Sequence, residues 1–448
     1  MSAEIISSAL AACGEWLAGD DDAWLFCGPR AMTRGRFRRR VAALAGRLPE
    51  APSVINLCEH RDHFLLAFCA ALVRGQVTLL PPSRAADAVA EVAARHPGCS
   101  RLADLDGIDC DLRVDRVAAA ESGIDTPPRA LADARLAMIG FTSGSTGAPS
   151  AHPKTWGALR HTDAANQRWL QVLCGGGGNV VATVPPQHMY GLELSVLLPL
   201  LGPFAVHPGR PFFPQDVAKA LAECAEPRLL VTTPLHLHAL VESGVELPPL
   251  AGIVSATAPL TPALAEAAEA RFATELHEVF GATEVCVFAY RRSTQTSRWR
   301  LLDEVRLSPR PGGTLIARPS LPSPVLLADL LELVDDGNGF ELRGRHADLL
   351  EIAGKRASMA DLTRRLQAIP GVRDAAMLQL DADAAGVRRL VAVVAADASL
   401  ANADILAAMR RVADPVFLPR RIVRVDALPR NETGKLPRQA LLALVERG

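Results

Sequence analysis

Phe141-Thr142-Ser143-Gly144-Ser145-Thr146-Gly147 is the stretch that decides the fold. The apolar run that leads into it, Leu136–Ile139 and Phe141, predicts a buried strand. Residues 142–147 carry only hydroxyl groups or no side chain, so their N–H and hydroxyl groups can surround a phosphate. No Gly-Lys-Ser/Thr follows, which excludes the P-loop of nucleotide hydrolases. A Ser/Gly-rich surface turn is the alternative interpretation.

Strand-like and helix-like segments alternate on both sides of this stretch. Strands are predicted over residues 54–57, 77–80, 179–184, 229–232, 252–255 and 275–280. Helices are predicted over residues 60–74, 83–96 with Ser83 as the cap, 162–173, and from the Thr261-Pro262 pair onward. Such alternation is typical of βαβ units, so we expect an α/β fold with mostly parallel sheets flanked by helices. Short strands and turns over 299–343 indicate a small β unit.

Length and composition limit the class of protein. The chain has 448 residues, which suits two or three domains, and 48 basic residues nearly balance 49 acidic ones. This balance argues against recruitment by nucleic acid or by a membrane surface. Arginines at 34, 36, 38, 39 and 40 are interpreted as a solvated helix face rather than a polyanion site.

The cysteine pattern and the N-terminal sequence predict the cellular compartment of the protein. Nine cysteines lack a C-x-x-C pair or ligand spacing, which argues against a disulfide framework and a cysteine metal site. No apolar stretch of about 18 residues and no basic leader are present. We therefore expect a cytoplasmic protein.

The loop at 142–147 closely resembles the phosphate-binding loop of the adenylate-forming superfamily, which includes acyl-CoA synthetases, adenylation domains and luciferases. Further motifs follow in the order of that family. The segment Ala256-Thr257-Ala258 looks like one wall of the nucleotide site, and Phe280-Gly281-Ala282-Thr283-Glu284 resembles the adenine and metal element. Asp329 and Arg345 match the residues that contact the ribose, and Pro429–Lys435 is similar to the C-terminal signature with its catalytic lysine.

This resemblance implies ATP and Mg²⁺ as cofactors, with Glu284 and Thr146 as metal ligands and with Lys435, Glu284 and Thr142 as catalytic residues. A carboxylate must attack the α-phosphorus of ATP, which brings two anions together. Loop donors, a metal ion and an ammonium group are the groups that offset such repulsion. An ionised Asp329 suits the ribose because it has two acceptor oxygens for two hydroxyls.

The resemblance also implies two domains. Residues 1–345 would form the ATP- and acid-binding domain, and residues 346–448 a small mobile α+β domain that carries Lys435. Two positions depart from the family pattern. Ser150 replaces the usual lysine, and we expect Lys154, or less readily His152, to supply that charge. Ala347, followed by Asp348, occupies the place of the usual hinge residue.

The residues expected to bind the acid are also inferred from the family resemblance. The acid pocket is expected to include His188, Tyr190 and Gly191, together with Ser255 and Pro259. Residues 153–156 and 281–292 resemble a compact subgroup in aryl-polyene and xanthomonadin pigment clusters, which loads hydroxybenzoate-like acids onto an acyl carrier protein. Free coenzyme A as the thiol is the first alternative. A catalytically retired nucleotide-binding regulator is the second, and intact Glu284, Asp329 and Lys435 argue against it.

Overall fold

The computed structural model describes residues 13–122, 130–142, 149–345, 349–352, 355–380, 389–430 and 436–447. The strands are β1 (Cys13–Glu15), β2 (Trp24–Phe26), β3 (Met32–Thr33), β4 (Ser53–Asn56), β5 (Val77–Leu80), β6 (Ser100–Ala103), β7 (Leu112–Arg113), β8 (Ala130–Ala132), β9 (Leu136–Thr142), β10 (Ser150–Thr155), β11 (Gly178–Ala182), β12 (Phe204–Val206), β13 (Arg228–Thr232), β14 (Gly252–Ser255), β15 (Leu276–Ala282), β16 (Cys286–Arg291), β17 (Trp299–Leu301), β18 (Arg306–Arg310), β19 (Gly313–Ala317), β20 (Val325–Leu327), β21 (Asp329–Val334), β22 (Gly339–Arg345), β23 (Leu349–Ile352), β24 (Lys355–Ser358), β25 (Val372–Gln379), β26 (Leu390–Ala396) and β27 (Arg421–Arg424).

The helices are α1 (Arg34–Ala45), α2 (Arg61–Arg74), α3 (Ala86–Arg95), α4 (Trp156–Cys174), α5 (Met189–Leu192), α6 (Leu198–Leu201), α7 (Pro214–Ala222), α8 (Pro234–Glu242), α9 (Pro262–Phe272), α10 (Met359–Gln367), α11 (Asn402–Val412) and α12 (Arg438–Arg447), and a π-helical turn, Glu193–Leu197, joins α5 to α6. None of the helices in the described part of the chain is long and apolar enough to cross a membrane.

The chain divides into two compact units. The first contains the residues up to Thr296 together with Leu301–Val305 and Arg318–Ser323, and the second contains Ser297–Arg300, Arg306–Ala317 and the residues from Pro324 onward. The predicted domain limits of 1–345 and 346–448 stay a prediction.

Two sheets form the framework of the first unit. One has the strand order β7-β6-β4-β5-β9-β10, in which all neighbours are parallel except β9 and β10. The other contains the order β3-β2-β12-β11-β13-β14-β15-β16, parallel from β2 to β15 and antiparallel at both ends. Parallel strands buried on both faces need helices as connections, which explains the apolar runs and the alternation in the sequence. The predicted α/β fold is confirmed.

The second unit is built from antiparallel strands and a small α+β body. Strands β17, β22 and β21 pair in that order, as do β18, β19 and β20. Strands β25, β26 and β27 form a three-stranded sheet. One face of this sheet packs on α10 and α11 through a cluster that includes Leu366, Val394 and Met409. The other face packs on α12 through Val393, Leu441 and Val445.

Two predicted helix starts are wrong, and both errors have a local cause. Ser83 does not cap α3, because its Oγ accepts from Ala85 N at 3.3 Å and closes a separate turn before the helix begins at Ala86. Helix α4 begins six residues earlier than predicted, at Trp156 rather than at 162. Thr155 caps it by accepting from Ala158 N at 3.2 Å.

A buried carboxyl group in α4 makes stability depend on pH. Asp163 is 0% exposed, and burial raises its pKa to about 8 although Gln167 donates to it. The folded protein therefore keeps a proton that the unfolded chain releases near pH 4, so stability falls as pH rises between about 4 and 8.

Between about pH 4 and pH 8 the free energy of unfolding should decrease less steeply in Asp163→Asn than in the unaltered chain. We expect the slopes to differ by up to about 1.4 kcal/mol for each pH unit. Urea unfolding of the variant and of the unaltered chain between pH 5 and pH 9 measures the difference. Asp216→Asn, at an exposed position of α7, is the control. Equal slopes for all three proteins would contradict a buried, protonated Asp163.

Candidate active site

Several predicted site segments lie at the carboxyl ends of neighbouring parallel strands. The segment with His188 follows β11, Ala256–Ala258 follow β14, and Gly281 and Ala282 end β15. Strands β11, β13, β14 and β15 are consecutive neighbours in one sheet. Ligands of open α/β sheets bind at this edge. The structure thus places the predicted acid-binding and adenine-binding segments at one edge of one sheet.

Thr142, His152 and Glu284 form a cluster in the first unit. Thr142 ends β9, and its Oγ1 lies 2.9 Å from Nε2 of His152 on the adjacent strand β10. The same Nε2 lies 3.8 Å from Oε1 of Glu284, whose side chain is 34% exposed. Residues 143–148, which connect β9 to β10, lie outside the described residues, so the positions of Ser143, Gly144, Ser145, Thr146 and Gly147 stay predictions.

The charges of this cluster suit a cation. Burial and the Lys154 ammonium lower the pKa of His152, although the Glu284 carboxylate acts in the opposite direction. A neutral imidazole does not compensate the negative charge of Glu284. Mg²⁺ prefers oxygen ligands and uses one or two carboxylates together with substrate phosphates. The partly exposed carboxylate of Glu284, which faces the same imidazole nitrogen as the Thr142 hydroxyl, fits this ion, which supplies charge neutralisation at the phosphates when bound.

Lys154 is buried, and it holds the main chain of Glu284. Its Nζ donates to Glu284 O at 2.5 Å, and the residue is only 5% exposed. The side chain thereby ties strand β10 to the hairpin of β15 and β16, in which residues 283–285 form the turn. Its predicted role as the substitute for Ser150 toward the pyrophosphate stays a prediction.

Two further buried charges hold the same hairpin. Glu193 accepts from Val287 N at 2.9 Å and 3.1 Å with its two oxygens, and Arg318 donates to Val287 O at 2.8 Å. Burial raises the pKa of Glu193 to about 7, whereas the Val287 N–H, Arg318 and Lys154 lower it. We call Lys154, Glu193 and Arg318 the hairpin cradle. Since its three members contact residues 284–287, the cradle orients the turn that carries Glu284.

Sequence reasoning missed Glu193 and Arg318. A signal for Glu193 was present, because this single acid lies within the apolar run Gly191–Leu201 and a lone charge in such a run indicates a buried, paired group. No comparable signal marked Arg318. It follows β19 at a place where arginine is ordinary on a surface, yet it is 6% exposed.

The predicted acid-binding segment packs tightly against the sheet. The hydroxyl of Tyr190 lies 2.8 Å from Val254 O and 3.2 Å from Thr232 O, so it bonds the main chain at the ends of β13 and β14. A Cβ on Gly191 would lie 2.0 Å from Pro185 O, which explains the glycine. His188 precedes α5 and is partly exposed. Contacts of these residues with an acid stay predictions.

The segment after β14 and the end of β15 supply the predicted nucleotide walls. Ser255 is fully buried, and its Oγ has no hydrogen-bond partner among the described residues. Thr257 has a positive φ of 82°, so the backbone turns sharply between Ala256 and Ala258, and Pro259 beyond them is exposed. Residues other than glycine seldom adopt a positive φ, and those that do are found mainly at functional turns. Phe280 packs edge-to-face on Phe288, with ring centroids 5.4 Å apart.

The two predicted ribose residues are direct partners within the second unit. Asp329 is the first residue of β21, and its Cα pairs with that of Arg345 at the end of β22. Thr314 Oγ1 donates to Asp329 O at 2.8 Å and accepts from Leu331 N at 3.1 Å, which fixes the backbone at the start of β21. Lys435 and the hinge candidates Ala347 and Asp348 lie outside the described residues.

Comparison with known proteins identifies the family. Residues 18–315 match the family model described as AMP-binding enzyme. A 4-coumarate–CoA ligase of Rhodobacter capsulatus is 30% identical over 298 residues, which are 66% of this chain and 73% of that protein. A fatty acid–[acyl-carrier-protein] ligase of Mycobacterium marinum is 36% identical over 121 residues, 26% of this chain and 23% of that protein.

Solved structures agree on the fold. The o-succinylbenzoate CoA synthetase of Bacillus subtilis, in complex with its acyl-adenylate intermediate, superposes with a TM-score of 0.80 at 16% identity. The match covers 94% of this chain and 95% of that chain. The chain therefore belongs to the AMP-binding enzyme family, and it is an AMP-forming ligase that activates an acid with ATP.

Proposed function

We propose that the chain activates an aryl carboxylic acid as an acyl-adenylate and then transfers the acyl group to a thiol. In the first step a carboxylate oxygen bonds to the α-phosphorus of ATP and pyrophosphate leaves. In the second step a thiol attacks the acyl carbon, AMP leaves, and the thiol proton passes to solvent. The thiol we favour is the phosphopantetheine of an acyl carrier protein.

The observation that carries the proposal is the cluster of Thr142, His152 and Glu284. Glu284 follows β15, at the carboxyl edge of the sheet that also contains β11 and β14. The cluster joins the end of the phosphate-loop strand to the turn that follows the adenine segment. Adenylation needs donors and a cation where negative charge accumulates, and preorganised groups of this kind supply much of the rate. Ribose binding by Asp329 and Arg345, and phosphate contact by Lys435, complete the proposed set of roles.

The choice of acid and thiol is supported by the motifs over 153–156 and 281–292, which resemble pigment-cluster ligases acting on hydroxybenzoate-like acids. Relatives point to both thiols, because one is named as a CoA ligase and another as an acyl-carrier-protein ligase. Free coenzyme A therefore remains the competing thiol.

Exchange of labelled pyrophosphate into ATP tests the first step. With the purified chain, ATP and Mg²⁺, we expect exchange that depends on 3- or 4-hydroxybenzoate and is much weaker with medium-chain fatty acids. Strong exchange with fatty acids and none with benzoates would contradict the aryl acid. No exchange with any acid in the panel would support a regulator that only binds the nucleotide.

The thiol is tested in the same preparation, with the acid that supports the fastest exchange. We expect rapid acylation of a phosphopantetheinylated carrier protein and slow formation of the coenzyme A thioester. The carrier protein without phosphopantetheine is the matched control. Efficient turnover with coenzyme A, and none with the carrier protein, would establish the competing thiol.

A further inference from the structure

Three metal-ligating side chains meet in the first unit, at the carboxyl edge of the sheet that contains β4 and β6. His60 precedes helix α2, His63 lies in its first turn, and Asp104 directly follows β6. Strands β4 and β6 are parallel neighbours, so their carboxyl ends lie side by side. The two histidines and the aspartate therefore come from two adjacent strand ends. We call them the His-His-Asp cluster.

The ligand atoms of this cluster have the spacing of a metal site. Asp104 Oδ2 lies 3.0 Å from His60 Nδ1 and 3.1 Å from His63 Nδ1. All three ligand atoms lie within 4.8 Å of one another. In tetrahedral zinc sites, with bonds of about 2.0–2.2 Å, ligand atoms lie roughly 3.3 Å apart. The two aspartate–histidine distances differ from this spacing by only a few tenths of an ångström.

If hydrogen bonds alone held the cluster, one oxygen of Asp104 would face more donors than it has lone pairs. Asp104 Oδ2 faces His60 N at 2.9 Å as well as the two imidazole nitrogens, which is three donors for two lone pairs. One cation bound to both Nδ1 atoms and to Oδ2 would replace two of these donors. The other oxygen, Oδ1, accepts from Glu59 N at 2.7 Å, and this bond orients the carboxylate as outer-shell bonds do in metal sites.

Burial and neighbouring charges define the rest of the coordination. The Asp104 side chain is 0% exposed, whereas those of His63 and His60 are 17% and 44% exposed. Both neighbouring acids have arginine partners, since Glu59 pairs with Arg210 at 2.9 Å and Asp62 with Arg30 at 2.9 Å. Water would supply the fourth ligand from the side on which the two histidines are partly exposed.

We propose that the His-His-Asp cluster binds a divalent transition-metal ion, with Zn²⁺ as the best fit. Two imidazoles and one carboxylate suit zinc, whereas Mg²⁺ and Ca²⁺ prefer oxygen ligands. The His-His-Asp cluster shares no residue with the cluster that contains Glu284.

The position of the site suggests a stabilising role. Arg61, the residue after His60, is fully buried and donates to Ala182 O at 2.9 Å and to Val184 O at 3.0 Å. These carbonyls lie at the end of β11, which leads into the predicted acid-binding segment. A metal ion that fixes the start of α2 would thus also fix the end of β11.

Metal binding is measured on the full chain after treatment with a chelator. Zn²⁺ is titrated against a chromophoric chelator, and thermal unfolding is followed with and without Zn²⁺. We expect binding of about one equivalent and a melting temperature that rises with Zn²⁺ concentration. Co²⁺ in place of Zn²⁺ should produce the visible absorption of tetrahedral coordination.

Variants assign the binding to the cluster. His63→Gln and Asp104→Asn keep the size of the side chain, and each should weaken Zn²⁺ binding at least about tenfold. His238→Ala, at an exposed position of α8, should leave it unchanged. Unchanged binding in both cluster variants, or no binding by the unaltered chain, would overturn the proposal and leave a cluster held by hydrogen bonds.

Discussion

Glu284→Gln is expected to slow acid-dependent exchange of pyrophosphate into ATP by about 10²–10³. The carboxylate of Glu284 is 34% exposed and faces the partly buried His152 at 3.8 Å. Glutamine keeps the size of the side chain and removes its charge, so the loss reports the charge itself. If the carboxylate holds Mg²⁺, the variant should also need a higher Mg²⁺ concentration for half-maximal rate.

A matched control separates this effect from a general loss of folded protein. Glu266→Gln removes an equivalent charge from an exposed position of α9 and should leave the exchange rate within about twofold. Thermal unfolding of both variants should resemble that of the unaltered chain, because surface substitutions usually change stability by less than about 0.5 kcal/mol. Exchange at full rate by Glu284→Gln would remove this residue from the chemistry.

The strands and helices that position the site could be predicted, because the sequence patterns that specify them are local. Apolar runs over 77–80 and 252–255 coincide with β5 and β14. The cap and proline at Thr261-Pro262 begin α9, as predicted, with Thr261 Oγ1 accepting from Leu264 N at 3.3 Å. A strand pattern or a helix cap depends on residues close in sequence, so it can be recognised without knowledge of the fold.

Long-range burial of charge could not be predicted. The arginines after residue 33 were interpreted as a solvated helix face, yet Arg34 and Arg38 are 2% and 3% exposed. Arg34 donates to the carbonyls of Ala18, Gly202 and Phe204 at 2.8–3.0 Å, two of which lie more than 160 residues away. No sequence feature near α1 indicates that these carbonyl groups are its acceptors. The contacts of Glu193 and Arg318 with Val287 were missed for the same reason, since the three residues are distant in sequence.

Lys154→Met is expected to reduce the exchange rate by about 10², because the variant loosens the turn that carries Glu284. Methionine fills a similar volume but cannot donate to Glu284 O, which Lys154 Nζ now approaches at 2.5 Å. The change also removes one of the charges that lower the pKa of buried Glu193. A misplacement of about 1 Å in a catalytic group can cost about 10²-fold in rate.

Two roles of Lys154 predict different kinetics. If the lysine positions Glu284, the variant should need more Mg²⁺ for half-maximal rate, and its KM for pyrophosphate should change little. If the ammonium instead contacts the pyrophosphate, as the absence of a lysine at Ser150 first suggested, the KM for pyrophosphate should rise strongly at saturating Mg²⁺. Lys219→Met, at an exposed position of α7, is the matched control and should behave as the unaltered chain.

The geometry favours the first role. A primary ammonium has three donors, and one is directed at a main-chain carbonyl of the turn while the residue as a whole is 5% exposed. Loss of this donor would remove a partly buried hydrogen bond between the charged ammonium and Glu284 O, and bonds to charged groups typically contribute about 1.5–3 kcal/mol. We therefore expect Lys154→Met to unfold at a lower urea concentration as well as to react slowly. A variant with unchanged stability and unchanged exchange would exclude both roles at once.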